Sequence, residues 1–444
     1  MQTYICTLIR LFLNSGNKMA KIVLAHPYFE GRFSGMPMGM VYIATSLANA
    51  GHETGIIDIN AKNLTDDEFK SRIAAERPDY VGFASTSPTH LDACHLARLV
   101  KEVGDIPVIK GGTHETYCFA TTLEYHGEID FSVIGNGEFT IVELIERLDK
   151  EKSVDGVQGI AFRNKGAVKF TSEKTLEKNL DNYPHPDRTL IEPSKFYNFN
   201  IFNGEKTTQA SMSRGCSYDC NFCPVDRPFS FHSADYVLEE LRQIQHQGYK
   251  AVFWDDAIFT ARKNLVQKIL DGVIAEGLEF QMGAQTRADV NIAPKMLELM
   301  KKAGFVYISF GMESGDEAIL AGYNKRLKVS DVETAVQLSK SHGLQTSVTA
   351  IVGAPDETLD SLARTIDAIN RIRPDAVSWS AYSIYPGSKL ANFDPLWYED
   401  HDLPRGDLWN KFDEGRQSKH VKDIEFFGRA LEMIESRTNP DIKL

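Results

Sequence analysis

The stretch "SRGCSYDCNFCPVD", Ser213–Asp226, sets Cys216, Cys220 and Cys223 within eight residues in the pattern C-x-x-x-C-x-x-C. Thiols this close read as ligands of a metal centre, and three readings compete. A structural zinc site takes four ligands, and the nearest fourth, His232, lies nine residues past Cys223 in an odd spacing. A disulfide plus a spare thiol suits a cysteine-dense secreted chain, not one with six cysteines in 444 residues. A [4Fe–4S] cluster on three thiolates leaves one iron open to a substrate or cofactor. The spacing favours the cluster, with zinc as its rival.

The loop follows the strand-like run "TTQASMSR" (207–214), the first of six such runs. The others are "AVFWDD", "LEFQMGAQT", "FVYISFGME", "LQTSVTAIVG" and "AVSWSAYSIY", with amphipathic helical segments between them. Six β/α units over residues 206–390 make most of a (β/α) barrel but fall short of the usual eight. The cysteines then sit on a βα loop, where barrel active sites are built.

Upstream, residues 19–150 alternate apolar strands with helices: "KIVLAHP", "ETGIIDI", "DYVGFAST", "IPVIKGG" and "IDFSVIGNGE" are the strands. This pattern implies a parallel sheet covered on both faces, a doubly wound, flavodoxin-like α/β domain. Its ligand loops are then 27–38, 85–90, 111–116 and 135–138, at the carboxyl ends of the strands. Residues 151–205 read as a hairpin, "VQGIAFRNKGAVKF", and a proline-rich linker; residues 391–444 read as a short C-terminal cap. Residues 1–18 read as an extension of doubtful origin, with Met19 opening the first natural strand.

Composition excludes several classes. A net charge of -12 with no long Lys/Arg run argues against nucleic acid as a partner. No apolar run approaches the roughly 18 residues of a membrane span. Sparse cysteine fits a reducing cytoplasm.

With those residues in view, the chain resembles the radical S-adenosylmethionine (SAM) superfamily, whose signature is C-x-x-x-C-x-x-C after the first strand of a partial (β/α)6 barrel. The resemblance implies that the open iron chelates SAM and that an electron from the cluster cleaves it to a 5′-deoxyadenosyl radical. It implies SAM contacts from Phe222, just before the last cysteine, and from residues at successive strand ends. Asp255 and Asp256 would take the amino group, Arg287 the carboxylate and Glu313 the ribose hydroxyls. "TAIVGAPDE" resembles the adenine-strand motif G-x-I-x-G-x-P through Ile351 and Gly353, with Thr349 in place of its first glycine. Plainer roles stand beside these: a helix-cap pair for the aspartates, a salt-bridged barrel end for Arg287, a structural strand end for Glu313.

The first domain is similar to the cobalamin-binding domain of the B12-dependent radical SAM enzymes, so the resemblance spans roughly residues 20–390. "PMGMVYIATSL", "STSPT", "GGTHET" and "GNGE" carry it. It implies corrin contacts from Ser85, Thr86, Ser87, Thr89, Gly111, Gly112, His114, Gly135, Gly137 and Glu138. His114 has the plainer reading of a turn contact. The D-x-H-x-x-G motif by which base-off/His-on cobalamin proteins ligate cobalt is missing, so Tyr28, Arg32 or Phe33 is expected to cover the lower corrin face instead. "GNGE" lacks the third glycine and the acidic spacing of a nicotinamide site.

The function implied is a C-methyltransferase that passes a methyl group from SAM by way of methylcobalamin to an unactivated carbon of a small molecule. The cofactors implied are a [4Fe–4S] cluster, SAM and cobalamin, and the partner an electron donor such as flavodoxin or ferredoxin. Alternatives are a B12-dependent oxidoreductase or cyclase, as in anaerobic magnesium-porphyrin ester cyclisation, and a non-catalytic Fe–S/cobalamin sensor. Trp397, Tyr398 and Trp409 in the cap are expected to form a lid or plain packing.

Overall fold

A computed structural model describes residues 19–28, 35–150, 152–174, 177–224, 228–383, 385–389 and 424–443. The N-terminal extension, Arg32, Phe33, Trp397, Tyr398 and Trp409 lie outside the described residues.

The first sheet holds β1 (Lys21–His26), β2 (Glu53–Asp58), β3 (Tyr80–Ala84), β4 (Val108–Gly111) and β5 (Phe131–Val133), all parallel. Its order, β2-β1-β3-β4-β5, is flavodoxin-like, with a topological switch point between β1 and β3. Helices α1 (Met38–Asn49), α2 (Asp66–Glu76), α3 (His90–Val103), α4 (Thr113–Tyr125) and α5 (Glu138–Asp149) cover its faces. The strands are buried on both sides, which is why they are apolar throughout.

The sheet does not stop at residue 150. β6 (Ile160–Asn164) pairs antiparallel with β5, and β7 (Ala167–Phe170) pairs with β6. The two-residue turn has positive φ at Lys165 and Gly166, the backbone that matches a hairpin's twist. The hairpin thus caps the sheet's edge.

The second sheet is the order β15-β14-β13-β12-β11-β8, six parallel strands that stay open between β15 and β8. They are β8 (Thr207–Ala210), β11 (Ala251–Trp254), β12 (Gln281–Thr286), β13 (Phe305–Glu313), β14 (Gln345–Val352) and β15 (Ala376–Ala381). The short ladder β9 (Ser213–Arg214) and β10 (Ser230–Phe231) closes the base of the cysteine loop. Helices α6 (Ala234–His246), α7 (Lys263–Ala275), α8 (Pro294–Lys302), α9 (Glu317–Gly322), α10 (Val329–Ser341) and α11 (Leu359–Ile372) connect the strands. This is a partial (β/α)6 barrel. Helix α12 (Ile424–Arg437) lies near the carboxyl terminus, and Lys443 bridges to Ala376 at the free edge.

The proline-rich linker is tightly held. Tyr197 donates to Asp58 Oδ2 (2.8 Å), and the Asp187 amide donates to Thr45 Oγ1 (2.8 Å). Arg188, 3% exposed, pairs with Glu240 (2.6 Å) and also donates to Thr208 Oγ1 and the Gln209 carbonyl. One continuous apolar core therefore runs from Met40 and Val41 through Ile191 and Tyr197 to Met212 and Tyr236.

Arg188→Ala strips the buried Glu240 of its counter-charge and frees the linker, which should cost about 3–5 kcal/mol. Chemical unfolding checks it; a change under about 1 kcal/mol would show that the apolar core alone holds the linker.

Candidate functional site

The cysteine loop leaves β9 at Gly215, whose φ of 83° suits a tight exit. All three cysteines are half-buried. The Tyr218 amide donates to Cys216 Sγ (3.4 Å), and the Cys223 amide to the Cys220 carbonyl (3.2 Å). The far side of the loop is held by segments whose role the sequence did not signal. The Asn221 amide donates to the Tyr323 carbonyl (2.9 Å), Asn324 Nδ2 to the Asp219 carbonyl (2.8 Å), and Lys389 pairs with the Asp219 carboxylate.

The loop brings the three thiols onto one face of the fold with no fourth cysteine beside them among the described residues, which suits a cluster on three thiolates better than a four-ligand zinc site. Burial pushes the Cys220 thiol up, while Lys325 and Arg287 pull it down. Those two cations provide the positive field an anionic metal–thiolate group requires.

Around the loop stand the strand ends. At the end of β11, Asp255 and Asp256 divide. Asp256 is buried and committed: it accepts the Met212 amide (3.2 Å) and the hydroxyls of Ser211 and Ser213, fixing the turn that begins the cysteine loop. Burial lifts its carboxyl to about 7 against those hydrogen bonds. Asp255 is exposed at the strand end yet closely ringed by protein, and desolvation lifts its carboxyl to about 6. Of the pair, Asp255 is the one open to a ligand.

At the end of β12, Arg287 is paired twice with Asp289 (3.0 and 2.9 Å) and lies 3.8 Å over the Tyr218 ring. The salt-bridged reading is therefore correct as far as it goes, but buried Nη1 has no partner among the described residues. At the end of β13, Glu313 sits at φ 69°, beside a register shift against β14. Such backbone in a non-glycine residue is strained by roughly 1–3 kcal/mol and persists only when its surroundings fix it. They do: Glu313 Oε1 meets Lys325 Nζ at 2.8 Å, and Oε2 accepts Thr349 Oγ1 at 3.0 Å. Lys325, 6% exposed and 5.9 Å from the Phe222 ring, was not singled out by the sequence, where it reads as one charge among several in "YNKRLK".

Phe222 meets Tyr323 edge-on (5.0 Å), and with Ile351, Ala354 and Tyr382 they form an apolar wall beside the loop. Gly353, expected to admit a ligand's close approach, packs against helix α12. A Cβ there would lie 2.3 Å from the Phe427 ring.

On the first sheet, the predicted corrin residues gather at the ends of β3, β4 and β5. Gly112 has φ 103°, and a Cβ would come within 2.4 Å of the Ser85 carbonyl oxygen. Ser85 Oγ is buried without a partner among the described residues. Thr89 Oγ1 is engaged, accepting the Thr86 amide (3.0 Å). Gly135 donates its amide to Thr116 Oγ1 (3.1 Å), and Gly137 packs on Ile43.

Two members of the set turn elsewhere. His114 is sunk into the domain, stacked on His90 (3.9 Å) with Nδ1 on Ser87 Oγ (3.1 Å), and burial together with His90 and Lys110 holds its pKa well below the usual range. Below it, buried Lys110 meets Glu115 (2.6 Å) and His90 Nδ1 (2.5 Å). Ligand atoms of His90, Cys94 and His126 converge within 4.8 Å, but the Lys110 ammonium already supplies the positive charge there, so this is a buried polar network. Glu138 reaches across to Arg214 (2.7 Å) at the base of the cysteine loop, and Tyr117 donates to the Pro224 carbonyl (3.2 Å) beyond its last cysteine. The carboxyl ends of the two sheets therefore meet at the loop.

Residues 210–369 match the Radical SAM superfamily, and residues 30–145 match the B12 binding domain. An uncharacterized methyltransferase of Pyrococcus horikoshii is 30% identical over 84% of this chain and 83% of its own length. The anaerobic magnesium-protoporphyrin IX monomethyl ester cyclase of Rubrivivax gelatinosus is 27% identical over 80% of this chain, which spans 65% of that protein. In fold, the chain superposes on the radical SAM methyltransferase TsrM of Kitasatospora setae, solved with cobalamin and a [4Fe–4S] cluster, with TM-score 0.76 and 16% identity, covering 96% of this chain and 93% of that one.

Gly112→Ala should destabilise the chain by about 1–3 kcal/mol from backbone strain alone, because φ 103° with ψ -176° is a region essentially reserved for glycine. The added methyl also faces a backbone oxygen that cannot swing aside. Urea unfolding tests this; an unchanged midpoint would mean that the loops after β3 and β4 separate at no cost.

Proposed function

The chain belongs to the cobalamin-dependent radical SAM enzymes, and we propose that it is a C-methyltransferase acting on an unactivated carbon of a small molecule. Its cofactors are a [4Fe–4S] cluster, SAM and cobalamin. When bound, the cluster with SAM supplies a hydrogen-abstracting radical and the corrin supplies a methyl group. The observation that supports the reading is the meeting of the two sheets' carboxyl ends at the cysteine loop, through Glu138–Arg214 and Tyr117–Pro224, which sets the two cofactor regions side by side. Among the described residues no helix is long and apolar enough to cross a membrane.

In this proposal Cys216, Cys220 and Cys223 hold the cluster. Asp255 accepts hydrogen bonds from the SAM amino group, Arg287 Nη1 donates to its carboxylate, and Glu313, held by Lys325 and Thr349, accepts from the ribose. Phe222, Ile351 and Tyr323 flank the adenine. Asp256 acts one step back, holding the turn from which the cysteine loop springs. The loops Ser85–Thr89, Gly111–Gly112 and Gly135–Gly137 line the corrin. Buried Ser85 Oγ and the glycine backbone fit a ligand bearing amides, while His114, committed inside the domain, is no cobalt ligand. An external one-electron donor such as flavodoxin or ferredoxin completes the cycle.

The likeness to the magnesium-porphyrin cyclase keeps a second reading open, a radical oxidation or ring closure with the same cofactors. Anaerobic incubation with methyl-labelled SAM separates the two. Methyl transfer yields 5′-deoxyadenosine together with S-adenosylhomocysteine, whereas cyclisation yields deoxyadenosine alone. Replacing Cys216, Cys220 and Cys223 by Ala should abolish deoxyadenosine formation; cleavage that persists would sink the cluster assignment.

A carboxyl at about 6 also predicts a pH signature. Ionised, Asp255 is purely an acceptor; protonated, it loses part of that capacity. SAM affinity should therefore rise with pH through about 6, by up to about tenfold per unit below it. Asp255→Asn should weaken binding and flatten that rise between pH 5.5 and 7. Equilibrium dialysis with labelled SAM measures both, and an equal slope in the variant would remove Asp255 from the site.

A further inference from the structure

Building on that reading, we propose that Glu138 and Arg214 form a latch that couples occupancy of the first sheet's ligand site to occupancy of the cysteine loop. Glu138 opens α5, directly after the glycine loop at the end of β5. It is 5% exposed, and its two carboxylate oxygens differ in their surroundings. Oε1 lies 2.7 Å from Arg214 Nη2, while buried Oε2 has no partner among the described residues.

A buried acceptor with an unfilled place is costly, and a ligand that fills it recovers that cost. The chemistry that fits is a neutral N–H donor such as a primary carboxamide. A cation would compete with Arg214, and an anion would be repelled by the carboxylate. Corrin peripheries carry such amides, and Oε2 belongs to a residue at the mouth of the strand-end site.

Arg214 is the other half of the latch. It lies two residues before Cys216, and its guanidinium packs 4.2 Å from the Tyr183 ring and 5.2 Å from the Tyr42 ring. Held by two rings and by Glu138, it has little freedom to move without moving the strand from which the cysteine loop springs. The opposite end of the loop is tied to the same domain through Tyr117 and the Pro224 carbonyl. A donor arriving at Oε2 redistributes the hydrogen bonding of one carboxylate, and the far end of that carboxylate positions the cysteine loop. Glu138 and Arg214 are thus positioning residues, and the corrin contact expected of Glu138 becomes one half of a two-sided role. A purely structural tie would hold the domains together equally well whether or not either site is filled.

Linkage distinguishes these. If the sites are coupled, cluster loading changes cobalamin affinity, and cobalamin changes the hold on the cluster by the same factor. The test uses the full chain under anaerobic conditions, once with the cluster reconstituted and once after a chelator has stripped it. Hydroxocobalamin affinity is read by absorbance titration in both states. The native chain should show a ratio of about fivefold or more between them. Arg214→Gln, which touches no corrin group, should still bind hydroxocobalamin with the ratio reduced to within about twofold of unity. Glu138→Gln should bind it more weakly in both cluster states, again with the ratio near unity, and an unchanged circular-dichroism spectrum shows that each variant is folded. As a second readout, cobalamin should slow chelator removal of iron in the native chain and not in Glu138→Gln. A ratio that survives both substitutions, or a native ratio of one, overturns the latch and leaves the methyltransferase reading intact. A native chain that binds no hydroxocobalamin overturns both.

Discussion

Parallel strands deliver all their ligand loops to one end, and in this chain two such ends are turned toward each other. Everything chemical depends on that orientation. It is fixed by Arg188, which binds the linker to β8 and to Glu240, and by the continuous core that the linker completes. The cysteine loop lies where the ends meet, held from the barrel side by Tyr323 and Asn324 and from the other side by Glu138 and Tyr117. A loop with little regular structure of its own is made rigid by partners drawn from both domains, which is what a metal cluster with one open coordination place requires.

The acidic residues at the barrel mouth show how similar side chains take different roles through their surroundings. Asp256 is surrounded by donors from residues 211–213 and serves the architecture. Its neighbour Asp255 has no such donors among the described residues and a desolvated carboxyl, so its acceptor capacity is left unmet. Glu313 is held between a cation and a hydroxyl in a backbone conformation that glutamate ordinarily avoids. The three carboxylates are a frame, an acceptor and a held acceptor.

Both sheets and the cysteine loop were legible in the sequence because each is a local pattern: apolar runs of strand length, glycine stops, three thiols in eight residues. The strand-end positions were legible for the same reason, since a parallel sheet makes every βα junction a candidate. What local pattern does not carry is the partner of a side chain far along the chain. Glu138 and Arg214 are separated by 76 residues, and nothing near either announces the other. Lys110 was invisible inside "IPVIKGG", where one charge in an apolar strand looks like an edge and is in fact buried with Glu115. Gly353 was legible as a place of close approach, but that Phe427 packs there depends on a helix some seventy residues later. The hairpin of β6 and β7 was likewise legible as a hairpin and not as the edge of the first sheet, because register is set by the strand it meets.

Thr349 illustrates how a departure from a family pattern can follow from its neighbours. A glycine there would offer no hydroxyl, leaving Glu313 Oε2 without the 3.0 Å donor it now has. The complementary glycine stands across the strand pair. A Cβ at Gly311 would lie 2.7 Å from Glu313 Oε1 and 3.0 Å from Lys325 Nζ, so a larger residue there would push that ion pair aside. Small residue and hydroxyl residue have thus been distributed over β13 and β14 according to which one faces the carboxylate's cation and which one faces its free oxygen. The match to the motif weakens by one letter, yet the carboxylate it helps to build is held more firmly, with both oxygens engaged by protein before any ligand arrives.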